Sequence, residues 1–332
     1  MFAAGKTKGV VATAANYIED VFSTYLYTGN SSTQTITNGI DLSTKGGLVW
    51  MKKRNSSSSG GHLLVDTANG TSTALSTNIT DSSNSLSGFS SFNTNGYSMS
   101  SACSTYLSNA NASGDTYASW TFRKQPKFFD VVTFTTGASN TNQRISHSLG
   151  SVPGCIIVKR TDGVDNWFVW HRSLPSTTDD YLYLNTTAAD QNTAGAWGAT
   201  GPTSTDFGVD DNFFGGGRAC VAYLFAHNAG GFGLTGTDNV ISCGSFTASA
   251  GQTTVTLGYE PQWILIKESS ASGDNWKIWD TMRGWSLTTY SELYPNTSAA
   301  QAAGSGTYTY PTATGFVSEA GWLTSGSTYI YI

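Results

Sequence analysis

Charged side chains are scarce in this chain of 332 residues. Its 17 Lys and Arg and 22 Asp and Glu make up 12% of the sequence, about half of the roughly 25% that is usual. Coiled coils and helical repeats need Glu, Lys, Leu and Ala in quantity, so this composition excludes them. A net charge of −5 and a pI near 5.3 argue against a basic nucleic-acid surface. With 39% hydrophobic residues the chain is not typical of a disordered protein either.

Cysteine and long apolar runs are also scarce. The four cysteines, at 103, 155, 220 and 243, show neither a CxxC pair nor metal-ligand spacing. Three of them lie in apolar runs, which favours buried free thiols over disulfides. No apolar run approaches the 18 or more residues of a membrane span, so we predict no membrane insertion. Lys6 and Lys8 stand where a signal peptide would need its apolar stretch, so no leader is predicted.

Aromatic residues and glycine are abundant instead. The chain has 13% aromatic residues and 37 glycines. Short runs of β-branched and aromatic residues between clusters of Gly, Ser, Asn and Pro are typical of strands joined by turns. The sequence therefore predicts an all-β protein.

The sequence contains three copies of one unit, which follow one another with a period of about 108 residues. Three short apolar runs each end in a lysine, at residues 47–52, 154–159 and 262–267. A later strand recurs in the same order at residues 117–122, 220–225 and 329–332. Further matches lie between these two strands and in the same order. We therefore predict a triplicated unit.

The repeat sets the predicted domain boundaries. An N-terminal arm covers residues 1–19, with a short helix expected over 10–20, and the units cover 20–128, 129–238 and 239–332. Each unit has the pattern of an antiparallel β-sandwich of the jelly-roll or lectin-like kind. Residues 167–170 are apolar on both faces, which predicts a central strand. The third copy stops at Ile332 in mid-strand, so we expect a fragment, or a partner or later segment that completes the sheet.

Several of these segments resemble a known domain. They are the strand at residues 129–132, the turn at 149–154, the strand at 156–159, the aromatic run at 167–171 and residues 25–30. Together they resemble a repeated β-rich domain of marine bacteriophages, found in tail-fibre-like and other virion proteins of phages that infect cyanobacteria. The resemblance covers residues 20–332. It implies a structural protein on the virion exterior or tail appendage, and it brings no catalytic or binding residues with it.

Motifs that carry chemistry are not found. There is no nucleophile elbow, metalloprotease motif, phosphate-binding loop or EF-hand. His171 aligns with Asp66 and Asp280, and a catalytic group should not vary in this way, so a polar strand end is predicted. The Asp-containing turns at 162–165, 179–180 and 210–211 allow a calcium reading, but Asp is also an ordinary turn residue. The basic clusters at 52–54 and 123–127 are interpreted as solvated strand ends. We predict no catalytic residue, metal or cofactor.

Tryptophans are the best candidates for ligand contact, because flat aromatic faces stack on sugars and pack at interfaces. Four of them recur at matched strand positions, which predicts core packing. Three others, Trp197, Trp285 and Trp322, lie in irregular stretches and are the candidate binding residues. For these three, exposure at a protein or glycan surface and burial under a loop are both open.

The sequence thus favours a structural phage virion protein that is not an enzyme. A tail-fibre or fibre-knob-like appendage protein, contributing to particle assembly and host adhesion, is the first hypothesis. The alternatives are a capsid decoration protein, or a carbohydrate-binding or depolymerase module that acts on host polysaccharide. Expected partners are other virion proteins, further copies of the chain (a trimer being common in fibres) and a host-surface glycan, but not nucleic acid.

Overall fold

The structure is a computed structural model that describes residues 15–58, 60–106, 108–138 and 142–332. Residues 1–14 of the predicted N-terminal arm, and with them the first five residues of the helix expected over 10–20, lie outside the described residues. Within them, Ile18–Asp20 and Thr281–Arg283 form single 3-10 turns. None of the helices in this part of the chain is long and apolar enough to cross a membrane. The protein is all-β, built from several antiparallel sheets, as the composition predicted.

The strands fall into three consecutive parts of the chain. The first part contains β1 (Phe22–Thr28), β2 (Gln34–Thr37), β3 (Gly47–Lys53), β4 (His62–Asp66), β5 (Thr73–Ala74), β6 (Asn84–Ser85), β7 (Ser87–Asn93), β8 (Gly96–Ser104) and β9 (Thr116–Arg123). The second contains β10 (Phe129–Thr135), β11 (Asn142–Ser146), β12 (Cys155–Arg160), β13 (Trp167–His171), β14 (Asp180–Tyr183), β15 (Gln191–Asn192), β16 (Asp206–Asp210) and β17 (Ala219–Phe225). The third contains β18 (Gly244–Thr247), β19 (Thr253–Thr256), β20 (Trp263–Glu268), β21 (Lys277–Asp280), β22 (Thr289–Glu292), β23 (Ala302–Ser305), β24 (Thr309–Thr312), β25 (Gly315–Ser318) and β26 (Thr328–Tyr331).

Each part forms one large sheet with a corresponding strand order. The first sheet has the order β1-β9-β3-β4, the second β10-β17-β12-β13-β14-β15, and the third β18-β26-β20-β21. In each, the first and last strands of that part pair with each other, and the lysine-ending strand follows. Smaller sheets of two or three strands, including β2-β8-β7, β11-β16 and β19-β25-β24, complete the fold.

Several strands of the large sheets, such as β3, β4 and β13, are buried on both faces. Alternate residues of a strand point to opposite sides of the sheet. In β3, Val49 and Met51 pack in a cluster shared with β2, β7 and β8, whereas Leu48 and Trp50 belong to a second cluster. That second cluster also takes inward residues of the other two sheets, such as Leu224 and Ile330. A central apolar core therefore joins all three large sheets.

Two predictions about individual strands can be checked directly. β13 pairs with β12 on one side and β14 on the other, and all of its residues are buried, so the prediction of a central strand is confirmed. The other concerns the last strand, which was expected to stop in mid-strand. β26 pairs with both β18 and β20, and Ile332 exchanges backbone hydrogen bonds with Leu265, so the residues present are paired on both sides. That further chain or a partner completes the sheet stays a prediction.

The interpretation of residues 52–54 as a solvated strand end is wrong for the two lysines of that cluster, whereas in the cluster at 123–127 Lys124 is half-buried and Lys127 is exposed. Lys52 and Lys53 are buried, as are the corresponding Lys159 and Lys267. Each ammonium group donates to carbonyl oxygens of a different part of the chain: Lys52 Nζ to Ala299 (2.7 Å), Lys159 Nζ to Thr80 (3.0 Å) and Lys267 Nζ to Thr187 (3.4 Å). The first part thus bonds to the third, the second to the first and the third to the second. These bonds close a ring.

A second ring uses the position occupied by Asp66, His171 and Asp280. Asp66 accepts from the Tyr223 hydroxyl (2.8 Å), His171 Nε2 donates to the Tyr331 carbonyl (3.1 Å), and Asp280 accepts from Trp120 Nε1 (2.9 Å). At this position the first part bonds to the second, the second to the third and the third to the first, which is the reverse of the order in the lysine ring. All three residues are buried, so the polar strand ends predicted for this position face neighbouring sheets and not solvent.

Candidate functional site

Two of the three candidate tryptophans are buried under loops. The Trp197 ring is fully buried and its Nε1 donates to the Asp180 carbonyl at 3.0 Å. Trp285 is 1% exposed, donates to the Thr309 carbonyl at 2.6 Å and stacks on Trp279. Of the two alternatives, exposure at a binding surface and burial under a loop, the structure shows burial for both residues. Neither ring is available to a ligand in this structure.

Trp322 is different, because it belongs to a half-buried aromatic cluster with Tyr290 and Tyr308. The ring centroid of Trp322 lies 4.3 Å from that of Tyr308 and 5.3 Å from that of Tyr290. The two tyrosines meet edge to face at 4.8 Å. None of the three is fully buried, and Trp322 packs against the buried core of the third sheet. We call Tyr290, Tyr308 and Trp322 the aromatic platform.

Glycines seat the two tyrosine rings on the backbone. Tyr290 on β22 lies opposite Gly304 on β23, and a Cβ atom at Gly304 would come within 2.6 Å of the Tyr290 ring. A Cβ at Gly306 would come within 2.7 Å of the Tyr308 ring. The rings therefore lie directly against glycine backbone, which fixes them without a cage of larger side chains.

A polar network borders the platform. Tyr310 lies two residues along the chain from Tyr308, so their side chains leave the chain on the same side. The Tyr310 hydroxyl donates to Glu319 Oε1 at 3.0 Å, and Gln252 Nε2 donates to the same oxygen at 2.9 Å. The backbone of Glu319 bonds to Tyr308 and begins the turn that carries Trp322. Hydrogen-bonding groups thus stand beside the aromatic rings.

The Trp322 indole has a polar group that the described residues leave unused. Its Nε1 is buried and has no hydrogen-bond partner in the part of the chain that the structure describes. Burying such a donor without a partner costs about 1–3 kcal/mol. The corresponding groups of Trp197 and Trp285 are both paired, as described above.

An apolar cavity of about 170 Å³ lies at the junction of the first and third sheets. Phe22, Phe122, Trp263 and Tyr331 contribute to its wall, next to Ile18. Its walls are mostly apolar and aromatic, so it offers space but little hydrogen-bonding chemistry.

The histidines and cysteines are held in their neutral forms. Burial lowers the pKa of His171 to about 3 and that of His227 to about 4, and it lowers the pKa of His62 as well. Burial raises the pKa of the Cys103 and Cys220 thiols to about 12. All four cysteines are buried and free, as predicted. Thiols that stay protonated are poor nucleophiles.

The carboxylates do not form a metal site among the described residues. Burial, with a smaller contribution from Asp180, raises the pKa of Asp190 to about 7. Within the described ranges, no group of three or more His, Cys, Asp or Glu side chains is placed to hold a metal ion. The aromatic platform with its polar border is therefore the feature of the described surface best arranged to contact a ligand.

Sequence reasoning found one member of the platform and missed the others. Tyr290 and Tyr308 stand in segments that show only weak similarity between the repeats. In the alignment that matches Leu182 with Leu293, Tyr290 falls opposite Asp179. An aromatic residue that breaks the repeat has no shared packing role to explain it, and that signal could have identified Tyr290.

Comparison with known proteins gives a family but no activity. The family described as a domain of unknown function (DUF7483) matches residues 18–332, which is nearly the whole chain, so the chain belongs to this family. No curated protein and no solved structure matches the chain.

Proposed function

We propose that this member of the DUF7483 family is a structural and adhesive protein of a phage virion, most simply a tail-fibre or fibre-knob-like appendage. It acts on the exterior of the particle, where it binds other virion proteins and a host-surface glycan. The phage assignment rests on the sequence resemblance of residues 20–332. The structural observation that carries the proposal is the closed ring of bonds among three similar sheets.

The proposal includes three tandem β-sandwich modules of jelly-roll or lectin-like form, over residues 20–128, 129–238 and 239–332. The corresponding strand orders of the large sheets support it, as do the small sheets that cover their outer faces. Ring-forming lysines at matched positions also support it. A rigid triplicated body of this kind suits a component that must hold its shape on a particle.

The position of the charges supports a structural role over a catalytic one. The few ionic side chains include several that join sheets from inside the protein, such as Lys52, Asp66 and Asp280. A depolymerase would need two carboxyl groups held about 5–10 Å apart beside a bound sugar. Glu319 is the carboxylate at the aromatic platform, and its hydrogen bonds go to Tyr310 and Gln252. We therefore propose binding without hydrolysis.

The test of the virion assignment is localisation. Mass spectrometry of purified particles should detect the protein, and immunogold labelling should place it on the tail or fibres. Labelling of the capsid would favour a decoration protein instead. Absence of the protein from particles that contain all other structural proteins would contradict the proposal.

The test of adhesion uses the purified chain. Fluorescently labelled protein should bind host cells and should release no reducing ends from the host envelope polysaccharide. Sustained release of reducing sugar would establish the depolymerase alternative and reject ours.

Homo-oligomerisation is a separate part of the proposal. The open-edge argument no longer supports it, because β26 is paired on both sides. The remaining support is that phage appendages are assembled from several copies of a chain. Light scattering should therefore give a multiple of 35.1 kDa, with a trimer expected, and a monomer at micromolar concentration would remove this part.

A further inference from the structure

The aromatic platform combines features that a saccharide site needs. A pyranose ring has an apolar face of C–H groups and an equator of hydroxyl groups. Aromatic rings bind the first, and paired carboxylate, hydroxyl and amide groups bind the second. Trp322 and Tyr308 provide the rings, and Glu319, Tyr310 and Gln252 provide the polar groups beside them.

The platform is fixed in place before any ligand arrives. Glycine backbone lies against the Tyr290 and Tyr308 rings, and the three aromatic side chains contact one another. The Glu319 carboxylate is held by two donors. Preorganisation of this kind reduces the ordering cost of binding.

We propose that the aromatic platform binds a neutral pyranose saccharide. One face of the sugar stacks on the Trp322 ring, beside Tyr308, whose ring is tilted by 46° to it, and the hydroxyl groups of the sugar bond to Glu319, Tyr310 and Gln252. The inference rests on the proposed adhesive function and names the site and the ligand class for it.

The charge at the platform selects among sugars. Glu319 contributes a carboxylate that accepts bonds from hydroxyl groups, and none of the residues named in the platform or its border is basic. An acidic sugar, such as a uronate or a sialic acid, would place a second carboxylate beside it, which is repulsive. Neutral hexoses and N-acetylhexosamines are therefore the favoured ligands.

The experiment measures binding of the full chain to defined probes by saturation-transfer NMR and calorimetry. Cellobiose, lactose and N,N′-diacetylchitobiose are the neutral probes, and sialyllactose is the acidic one. We expect at least one neutral probe to bind more tightly than sialyllactose. Trp322→Ala should weaken that binding about tenfold or more, because a stacking ring is lost.

Phe213→Ala is the matched control. Phe213 precedes β17 by as many residues as Trp322 precedes β26, and it too is half-buried in an aromatic cluster, with Phe168 and Tyr181. This variant should keep the affinity. Thermal unfolding of both variants checks that they fold. Glu319→Gln should bring the affinity for sialyllactose closer to that for the neutral probe.

The outcomes separate this inference from the proposed function. If the chain binds host cells or a glycan array and Trp322→Ala binds as well as the unchanged protein, the platform is not the site, but adhesion stands. A preference for sialyllactose over every neutral probe would also overturn the inference. If neither cells nor any glycan is bound, the adhesive function itself is wrong.

Discussion

Lys159 shows how a single buried charge joins two parts of the chain. Its Nζ donates to the carbonyl oxygens of Thr80 and Asp165, both at 3.0 Å. Replacing it by methionine keeps most of the volume but removes the Lys159 donor from both carbonyl oxygens, of which that of Thr80 keeps the bond from the backbone N–H of Asp165. We expect Lys159→Met to lower the free energy of unfolding by about 1–3 kcal/mol, measured by urea denaturation.

The control for this change is an exposed lysine. Lys45 lies in the loop before β3 and is exposed, so Lys45→Met should alter stability by less than about 0.5 kcal/mol. Equal effects of the two substitutions would mean that the inter-part hydrogen bonds contribute nothing measurable.

The same lysines show where sequence reasoning stopped at the residue scale. The repeat identified Lys52, Lys159 and Lys267 as matched positions, but a lysine at the end of an apolar run is usually solvated. Whether carbonyl oxygens of another sheet lie within reach depends on how the three large sheets pack, and no local pattern records that. The burial of Trp197 and Trp285 could not be predicted for the same reason, because it depends on how irregular loops pack over the two rings.

At the scale of an element, Gly96 limits the sheet β2-β8-β7. It opens β8 with a positive φ of 142°, and a Cβ there would lie 1.9 Å from the carbonyl oxygen of Ile36 on the paired strand. A backbone atom cannot move aside as a side chain can. Gly96→Ala should therefore separate β2 from β8 and lower the unfolding free energy by more than about 3 kcal/mol.

Gly39 is the comparison that isolates the steric effect. It also has a positive φ, of 85°, but a Cβ there would meet nothing within 4 Å. Gly39→Ala should cost only the backbone strain, about 1–2 kcal/mol. Hydrogen exchange should show loss of protection in β2 for Gly96→Ala alone. Similar exchange in both variants would contradict the steric argument.

The strands that sequence predicted best are those with their own strong pattern. The lysine-ending runs became β3, β12 and β20, and the aromatic run became β13, because burial on both faces leaves an unbroken apolar signature. Two-residue strands such as β5 and β15 carry no such signature. Their existence depends on the neighbour against which they pair, so they could not be read from the chain.

At the scale of the whole molecule, the central core makes the three parts depend on one another. Residues 129–238 alone would expose the inward face of the second sheet, including Ile156 and Leu224, and would lose the ring contacts of Lys159 and His171. We expect this fragment to self-associate and to bind a hydrophobic dye such as ANS. Co-expression of residues 1–128 with 129–332 should instead yield a soluble complex. A monomeric, cooperatively folding 129–238 would show that the shared core is dispensable.

The pH dependence of stability combines the buried groups of all three parts. Burial lowers the pKa of all four histidines, to about 3 for His171, so the unfolded chain binds more protons and stability rises as the pH goes from about 4 to 6.5. The pKa of Asp190 is raised to about 7, so this carboxyl group lowers stability as the pH rises through the same range. It is a single group, whereas four histidines have the opposite effect. Burial also lowers the pKa of Lys52 to about 7 and those of Lys159 and Lys267 to about 8, which extends the rise toward pH 10.5.

Above about pH 9 the four buried thiols oppose the three lysines, and the net sign reverses. Burial raises the pKa of each buried thiol, so the folded state then holds more protons than the unfolded chain and stability falls as the pH rises. Stability should therefore be greatest near pH 9, above the usual range of about pH 5–8. Urea unfolding at pH 5, 7 and 9 measures this, and Lys159→Met should flatten the rise between pH 7 and 9. A maximum at pH 5–7 would mean that the ring lysines keep their charge inside the fold.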